Sequence, residues 1–167
     1  EGKLIPENLW IKFVSGLESD FDSLETNNER AKREVAEALV NAVKKRTVQK
    51  QGVLLSGGVD SSLIAFILKK LNCNFTCYTV GIENSDDILW AQKVAKEYGL
   101  NFKYKIFSLE EFEKIVKEVI KIVSDADIVK VGVGSVLYAA GRLALNDGNN
   151  ALFGGLGSEE IFAGYKR

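Results

Sequence analysis

Within seven residues, Ser56 to Ser62, the chain places three serines, two glycines and one aspartate in the order SGGVDSS. An uncharged run, VLL, precedes this segment, and apolar residues recur at helical spacing across Ser61–Leu71. The pattern predicts a strand, a glycine turn and a helix. Glycines let the backbone turn tightly and leave no Cβ between its amides and a ligand. Because the first N–H groups of a helix are unpaired and lie at the positive end of its dipole, the segment is suited to hold a phosphate or pyrophosphate group.

Asp60 sets a condition on such a site, because a carboxylate would repel bare phosphates. Its presence makes sense if a divalent cation lies between the carboxylate and the phosphate oxygens. The sequence contains neither GxxxxGK[ST] nor GxGxxG, so this is not one of the ordinary nucleotide loops. The alternative is a glycine turn capped by serines with no ligand. The strand–loop–helix context favours the ligand site.

Short apolar runs alternate with helical patterns over most of the chain, which predicts an α/β fold. It should have an open parallel sheet of about four to five strands with helices on both faces. Strands are expected at Gly52–Leu55, Phe75–Val80, Phe102–Phe107 and Ala151–Phe153. Helices are expected at Ser61–Leu71, Ser85–Tyr98, Leu109–Val123 and between Val133 and Asn146.

The first residues give weaker signals. Leu9, Trp10 and Phe13 have helical spacing, and Asn27 or Asn28 can cap a helix that runs to about Arg46. We expect residues 1–26 to be an N-terminal extension that packs on one domain formed by residues 27–167.

Composition excludes several kinds of site. The chain has 167 residues, 46% of them hydrophobic, with no histidine and a net charge of −1. Without histidine there is no Ser–His or Cys–His catalysis and no His-based metal site. The charge gives no electrostatic case for nucleic-acid binding, and we find neither an apolar run of about 18 residues nor a signal peptide. Cys73 and Cys77 are expected to be packing residues, with thiol chemistry or metal binding as the alternative.

Three segments together resemble a known family. SGGVDSS resembles the pyrophosphatase loop of the N-type ATP pyrophosphatases, which split ATP between its α and β phosphates. LFGGLGSEEIFAGY, residues 152–165, is similar to the segment LSGEGxDExFxGY of the asparagine synthetases, and TVGIENSDD, residues 79–87, resembles their second strand and the helix after it. The resemblance is to the synthetase domain, without the glutaminase domain. It implies a fold like that of the adenine nucleotide alpha hydrolases, which is Rossmann-like.

The resemblance also implies roles for individual residues. Leu55, Val80 and Gly81 would line the adenine and ribose of ATP, and the backbone of Gly154 and Gly155 would approach the nucleotide. Asp60 and Glu159 would bind Mg²⁺, with Glu159 replacing the aspartate of the family. The pyrophosphate would lie against the backbone of Ser56, Gly57, Gly58, Asp60, Ser61 and Ser62.

Two positions depart from the family pattern. Leu156 stands where the family has a glutamate that handles the proton when ammonia attacks the activated carboxylate. An ungapped alignment of DIVKVG, residues 127–132, places Gly132 where the family has an arginine for the carboxylate of the substrate. The family's glutaminase domain and C-terminal lysine are not found in these residues. The catalytic residues therefore stay undetermined, while the ATP part of the site matches.

The resemblance implies adenylation of a carboxyl or amide substrate by ATP with Mg²⁺, release of pyrophosphate, and nitrogen transfer. Asparagine is the leading product, in a cytoplasmic protein with no membrane or nucleic-acid partner. Ammonia would come from a separate subunit or from further regions of the same chain, and an oligomer is left open. One alternative is an ATP-binding subunit or sensor without ligase activity. The other is a tRNA-modifying enzyme of the same loop class, for which Cys77 would be the reactive group.

Overall fold

The structure is a computed structural model, and it describes residues 6–18 and 25–162. The chain divides into two compact units, residues 1–41 and 42–167. The division expected at residues 26 and 27 stays a prediction. The elements, in chain order, are α1 (Glu7–Glu18), α2 (Asn28–Lys44), β1 (Gln51–Leu54), α3 (Val59–Lys70), β2 (Thr76–Ile82), α4 (Asp86–Glu97), β3 (Phe102–Phe107), α5 (Leu109–Val123), α6 (Ile128–Asn146), β4 (Ala151–Phe153) and α7 (Ser158–Phe162).

The second unit contains a four-stranded parallel sheet in the order β3-β2-β1-β4. The chain moves outward from β1 to β3 and then returns to the other side of β1 with β4. This reversal creates a crevice between β1 and β4 at the carboxyl ends of the strands, which is where ligands bind in open α/β sheets. The predicted α/β class and parallel sheet are confirmed.

Helices cover both faces of the sheet. On one face, α5 and α6 pack with β2 through a buried cluster of Val80, Ile115, Val119, Val131, Ala139 and Ala140. Neighbouring residues of a strand point to opposite faces. A Cβ on Gly81 would meet Ser85 at 2.7 Å and Ile88 at 3.1 Å, so Ser85 and α4 lie against the other face.

Hydrogen bonds at the helix starts explain several boundaries. Asn27 caps α2, as one of the two expected residues, by accepting from the N–H groups of Glu29 and Arg30 at 3.1 and 3.0 Å. Ser108 and Glu111 form a capping box at the start of α5.

Helix α6 begins five residues before the predicted start at Val133, because Asp127 caps it. The Asp127 carboxylate accepts from the N–H of Lys130 at 2.9 Å. By length and composition, α6 is the one helix in the described part of the chain that could cross a membrane, which corrects the expectation that no such segment exists. Five of its residues are buried, and α5 and β2 pack against it.

Tyr78 of β2 ties the sheet to the loop between α6 and β4. Its hydroxyl donates to Asp147 at 2.7 Å and accepts from the side-chain amide of Asn149 at 2.7 Å. Burial and the Asp147 contact raise the pKa of Tyr78 to about 12, so the hydroxyl stays protonated and can donate. The ring crosses β1 at Gly52, where a Cβ would meet Tyr78 Cε2 at 2.7 Å and Leu152 Cδ2 at 2.8 Å.

We therefore expect Gly52→Ala to lower the free energy of unfolding by about 1–3 kcal/mol, the usual cost of overpacking a core. The Tyr78 ring cannot yield easily, because it is 1% exposed and hydrogen-bonded at its far end. Urea unfolding followed by circular dichroism measures the change. Gly141→Ala is the control, since its Cβ would meet only Leu152 Cδ1, at 4.0 Å. Equal stability of the two variants would contradict this packing.

Candidate functional site

A cavity of about 550 Å³ opens at the carboxyl ends of the strands, in the crevice between β1 and β4. Its walls come from the turn after β1, the ends of β1 and β2, the start of α4, one side of α6 and the segment after β4. The lining residues are Leu54, Leu55, Ser56, Gly58, Asp60, Ser61, Tyr78, Thr79, Val80, Asp87, Val133, Val136, Leu137, Ala140, Gly154, Gly155, Leu156, Gly157 and Glu159. The crevice thus combines a polar turn with an apolar helix.

The glycine turn leaves the start of α3 without a side-chain cap. Gly58 is the N-cap residue, with φ −71° and ψ 165°, and no side-chain hydrogen bond caps the helix among the described residues. The N–H of Gly58 donates to Ser56 Oγ at 3.3 Å, and the N–H of Ser62 donates to the Gly58 carbonyl at 3.1 Å. The N–H groups at the start of α3 that remain available to a ligand are therefore those of residues 59–61. A helix start of this kind favours an anion, since its unpaired N–H groups and its dipole both attract negative charge.

Gly57 determines how the turn lies on α4. Its φ is +81°, a backbone conformation that favours glycine, and a Cβ would meet the backbone C of Trp90 at 2.6 Å and the backbone N of Ala91 at 2.7 Å. Gly57 itself does not line the cavity. It lets the turn approach the α4 backbone closely, and this contact supports the neighbouring residues that do line the cavity.

Serine side chains hold the turn in shape. Ser61 Oγ accepts from the N–H of Ser56 at 3.3 Å and donates to the carbonyl of Gly58 at 3.3 Å. It also contacts Ser56 Oγ at 3.2 Å. The Thr79 hydroxyl donates to the Leu55 carbonyl and fixes β2 against the end of β1. Ser61 lines the cavity and at the same time closes the turn.

Ser62 occupies a different position. Its Oγ is buried and has no hydrogen-bond partner among the described residues, and Ser62 does not line the cavity. Burying a hydroxyl without a partner costs free energy. The hydroxyl of Ser62 is therefore an unsatisfied polar group one residue after Ser61, which lines the cavity.

Gly155 brings the segment after β4 against α3. A Cβ there would meet Asp60 Cβ at 3.0 Å and the N of Ser61 at 3.0 Å. At Gly154 the nearest atom to a Cβ would be Leu54 Cδ1, at 3.9 Å. The Gly155 carbonyl accepts from Ser158 Oγ at 2.7 Å, which connects this close approach to the start of α7.

Three carboxylates line the cavity: Asp60 on α3, Asp87 on α4 and Glu159 on α7. In the described part of the chain they do not form a group of three ligands around one point. Magnesium in nucleotide sites is usually held by one or two carboxylates together with phosphate oxygens and water. Asp60 and Glu159 fit this donor set, provided that phosphate supplies the remaining oxygens.

The family is decided by comparison with known proteins. A family model described as asparagine synthase matches residues 34–167. The chain belongs to the asparagine synthase family. It is 43% identical over 145 residues to the putative asparagine synthetase [glutamine-hydrolyzing] 1 of Methanocaldococcus jannaschii, covering 86% of this chain and 27% of that protein. It is 37% identical over 161 residues to the asparagine synthetase [glutamine-hydrolyzing] of Gallus gallus, covering 91% of this chain and 28% of the relative. The chain thus spans little more than a quarter of the length of these relatives.

Solved structures of two synthetases share the fold of this asparagine synthase family member. The NH3-dependent NAD synthetase of Campylobacter jejuni matches with a TM-score of 0.54 and 21% identity, covering 85% of this chain and 62% of that one. The NMN synthetase of Francisella tularensis matches with a TM-score of 0.51 and 14% identity, covering 76% and 54%. These likenesses confirm the expected nucleotide-hydrolase-like architecture.

The structure gathers most of the residues to which the family resemblance gives a role. Ten positions line the one cavity: Leu55, Ser56, Gly58, Asp60, Ser61, Val80, Gly154, Gly155, Leu156 and Glu159. Gly57, Ser62 and Gly81 do not line it, and Gly57 and Gly81 allow close packing on neighbouring backbone or side chains. The ligand roles of all these residues stay predictions.

The two positions that depart from the family pattern differ in their surroundings. Leu156 lines the cavity with 68% of its surface exposed, so it is not a buried core residue. Gly132 is not a lining residue, and a Cβ there would meet nothing within 4 Å.

Sequence reasoning gave no role to nine of the lining residues: Leu54, Tyr78, Thr79, Asp87, Val133, Val136, Leu137, Ala140 and Gly157. Asp87 lies in the segment used for the resemblance but received no role. Val133, Val136, Leu137 and Ala140 form one stripe of α6, at the i, i+3, i+4 and i+7 spacing of a single helix face. That spacing indicates an apolar helix face, although it does not show whether the face lies against a core or a cavity.

Cys77 is buried, and burial raises the pKa of its thiol to about 12. It is therefore protonated at neutral pH, while the thiolate is the form that reacts. The expected packing role of Cys77 is confirmed.

Proposed function

We propose that the chain binds ATP with Mg²⁺ in the 550 Å³ cavity and adenylates a carboxyl or amide oxygen of an acceptor. One observation carries the proposal: the uncapped start of α3 and the carboxylates of Asp60 and Glu159, which come from separate elements, open onto one cavity. Membership of the asparagine synthase family supports the same reaction class.

In this proposal, backbone N–H groups would make the main contacts with the phosphates of ATP. The N–H groups at the start of α3 would hold the β and γ phosphates, and the hydrogen bonds of Ser56 and Ser61 keep the turn rigid before the ligand arrives. Donors fixed in advance need no reorganisation when charge develops on the leaving pyrophosphate, which is why such sites stabilise transition states. Leu55 and Val80 would bound the space for adenine and ribose.

In the proposed reaction, an acceptor oxygen attacks the α phosphorus, and the bond to the bridging oxygen breaks so that pyrophosphate leaves. The nitrogen of ammonia or an amine then attacks the acyl carbon, and AMP leaves. Mg²⁺ would be held by Asp60 and Glu159 and would supply charge neutralisation for the phosphates. Asparagine as the product, and ammonia supplied by another subunit or another part of the same protein, are the finer forms of this proposal, with a cytoplasmic location.

A second function is favoured by one residue. Leu156 faces the cavity and cannot accept a proton, where the family resemblance expects a glutamate. General base help contributes about 10²–10⁴-fold in rate. A protein without that base could be an ATP-binding subunit or sensor. Binding of ATP with no AMP formed in the presence of any acceptor and ammonia would identify it.

We expect ATP with Mg²⁺ to bind at least about tenfold more tightly than AMP. AMP cannot use the N–H groups at the start of α3, and a hydrogen bond to a charged group contributes about 1.5–3 kcal/mol. Isothermal titration calorimetry with ATP, a non-hydrolysable α,β-methylene analogue and AMP measures the difference. The analogue controls for turnover during the titration. Equal affinities for ATP and AMP would refute the assignment of the phosphates to the glycine turn.

A further inference from the structure

A second cavity, of about 310 Å³, opens at the edge of the sheet opposite the proposed ATP site. Its lining residues include Gln51 and Thr76, which are the first residues of β1 and β2, so we call it the amino-end cavity. Tyr78 is the only residue that lines both this cavity and the one proposed for ATP. Sites for small molecules have volumes of about 300–1,000 Å³. The amino-end cavity is therefore separate from the ATP site and large enough for a small molecule.

The floor of the amino-end cavity carries a buried amide. Gln51 is 2% exposed, and its Oε1 accepts from the N–H of Val48 at 2.9 Å, which fixes the side chain. The amide nitrogen at the other end of the group has no hydrogen-bond partner among the described residues. A buried donor without a partner costs free energy, which a ligand that accepts from it would recover. Because Gln51 lines the cavity, its amide nitrogen can serve as such a donor.

The charged side chains that line the amino-end cavity are those of two lysines and one aspartate. Lys103 Nζ lies 2.7 Å from Asp147 Oδ1, and the Tyr78 hydroxyl donates to Asp147 Oδ2 at 2.7 Å. These two donors lower the pKa of Asp147 below its usual range, so the carboxylate stays charged and is matched by Lys103. The ammonium of Lys50, at the rim, forms neither an ion pair nor a hydrogen bond with the described residues. The wall therefore offers one unmatched positive charge to a ligand.

We propose that the amino-end cavity binds a small molecule through a carboxylate or phosphate group, which accepts from the ammonium of Lys50 and the side-chain amide of Gln51. Asn74, in the loop before β2, adds a second amide to the lining. Hydrogen bonds between such donors and a charged oxygen are stronger than those between neutral groups. The proposal is independent of the proposed function, because none of these residues is assigned to ATP, Mg²⁺ or the acceptor.

Titration with two defined anions tests the proposal. The protein is titrated with sulfate, which stands for a phosphate group, and with malonate, which stands for a carboxylate, at an ionic strength held constant with chloride. Nitrogen–proton correlation NMR spectra follow the side-chain amide signals of Gln51 and Asn74. We expect these signals to shift saturably with at least one of the two anions, and the anion that binds more tightly identifies the preferred group. Absence of a saturable shift with either anion would overturn the proposal.

Reversal of one charge gives a second test. Lys50→Glu should weaken binding of the anion by at least about tenfold, because an attracting charge becomes a repelling one. Lys45→Glu is the matched control, since Lys45 is also exposed, undergoes the same change of charge and does not line the cavity. Its effect should stay below about twofold, as expected for a screened charge outside the site. Equal weakening in the two variants, with thermal melts showing both to be folded, would mean that only the net charge attracts the anion and would overturn the proposal.

The start of α3 is a competing anion site, and the ATP analogue separates it from the amino-end cavity. Sulfate bound there would shift the backbone amide signals of residues 59–61. The titrations are therefore repeated with the protein saturated with Mg²⁺ and α,β-methylene ATP. We expect the shifts of Gln51 and Asn74 to persist with unchanged midpoints, because the two cavities open at opposite edges of the sheet. Loss of these shifts in the presence of the analogue would assign the anion to the ATP site and overturn the proposal.

Discussion

Gly57→Ala is expected to lower the free energy of unfolding by about 2–4 kcal/mol and to weaken ATP binding strongly. Two costs add up: alanine must adopt the φ of +81°, and its Cβ would meet backbone atoms of Trp90 and Ala91 at 2.6 and 2.7 Å. Backbone cannot move aside as a side-chain end can. Relief of the clash therefore has to come from the turn itself, which would move the start of α3 away from its present position.

The neighbouring glycine provides the control. At Gly58 the φ is −71°, and a Cβ would have only Ser56 Oγ nearby, at 3.4 Å. Gly58→Ala should cost less than about 1 kcal/mol, the difference between these residues as helix N-caps. Urea unfolding and calorimetric titration with ATP are measured on both variants. Equal losses of stability would mean that the contact with Trp90 does not support the turn.

The strands and most helices could be predicted from sequence because their patterns are local. The run around Val53 and Leu55 is uncharged. Val53 in β1 and Leu55 directly after it are almost fully buried, as a central parallel strand requires. The start of α6 was missed for a local reason too. Gly132 and Gly134 and the β-branched residues between Ile128 and Val133 weaken the helix signal, while the cap that starts the helix is one hydrogen bond of Asp127.

The part of the site that could be predicted is the part whose residues are contiguous in the sequence. Ser56, Gly58, Asp60 and Ser61 could be read together because they share one turn. The α6 stripe and Asp87 could not be placed, since only the folded chain brings these elements to the same crevice. The motif does not show that its two glycines have different roles: Gly57 allows close packing on α4, while Gly58 lines the cavity.

The three acids that line the cavity pose an electrostatic problem for the proposed ligand. A triphosphate carries several negative charges, and two like charges at 4 Å repel by about 1 kcal/mol even in bulk water. Asp60 lies in the first turn of α3, beside the N–H groups assigned to the phosphates. The site can hold ATP well only if a cation reverses the effect of this carboxylate, so the contribution of Asp60 should change sign with the metal.

We therefore expect Asp60→Asn to have opposite effects in the presence and absence of Mg²⁺. With Mg²⁺ the variant should bind ATP at least about tenfold more weakly, because a metal ligand is lost. With EDTA it should bind ATP more tightly than the unchanged protein, by up to about tenfold, because one repelling charge is gone. Calorimetric titrations with ATP in both buffers measure the crossover, and thermal melts check the fold, since loss of the acid at the helix start costs only about 0.3–1 kcal/mol.

Two further variants test whether this change in the sign of the effect on ATP affinity is specific to the proposed metal ligands. Glu159→Gln should reproduce it, because Glu159 is the other proposed ligand in the same cavity. Asp87→Asn removes an equal charge from the cavity wall at the start of α4 and is not assigned to the metal. Its effect on ATP affinity should have the same sign with and without Mg²⁺, since only the general repulsion changes. A crossover in Asp87→Asn with none in Asp60→Asn would move the metal site to α4, and weaker binding by Asp60→Asn in both buffers would make Asp60 a support of the turn.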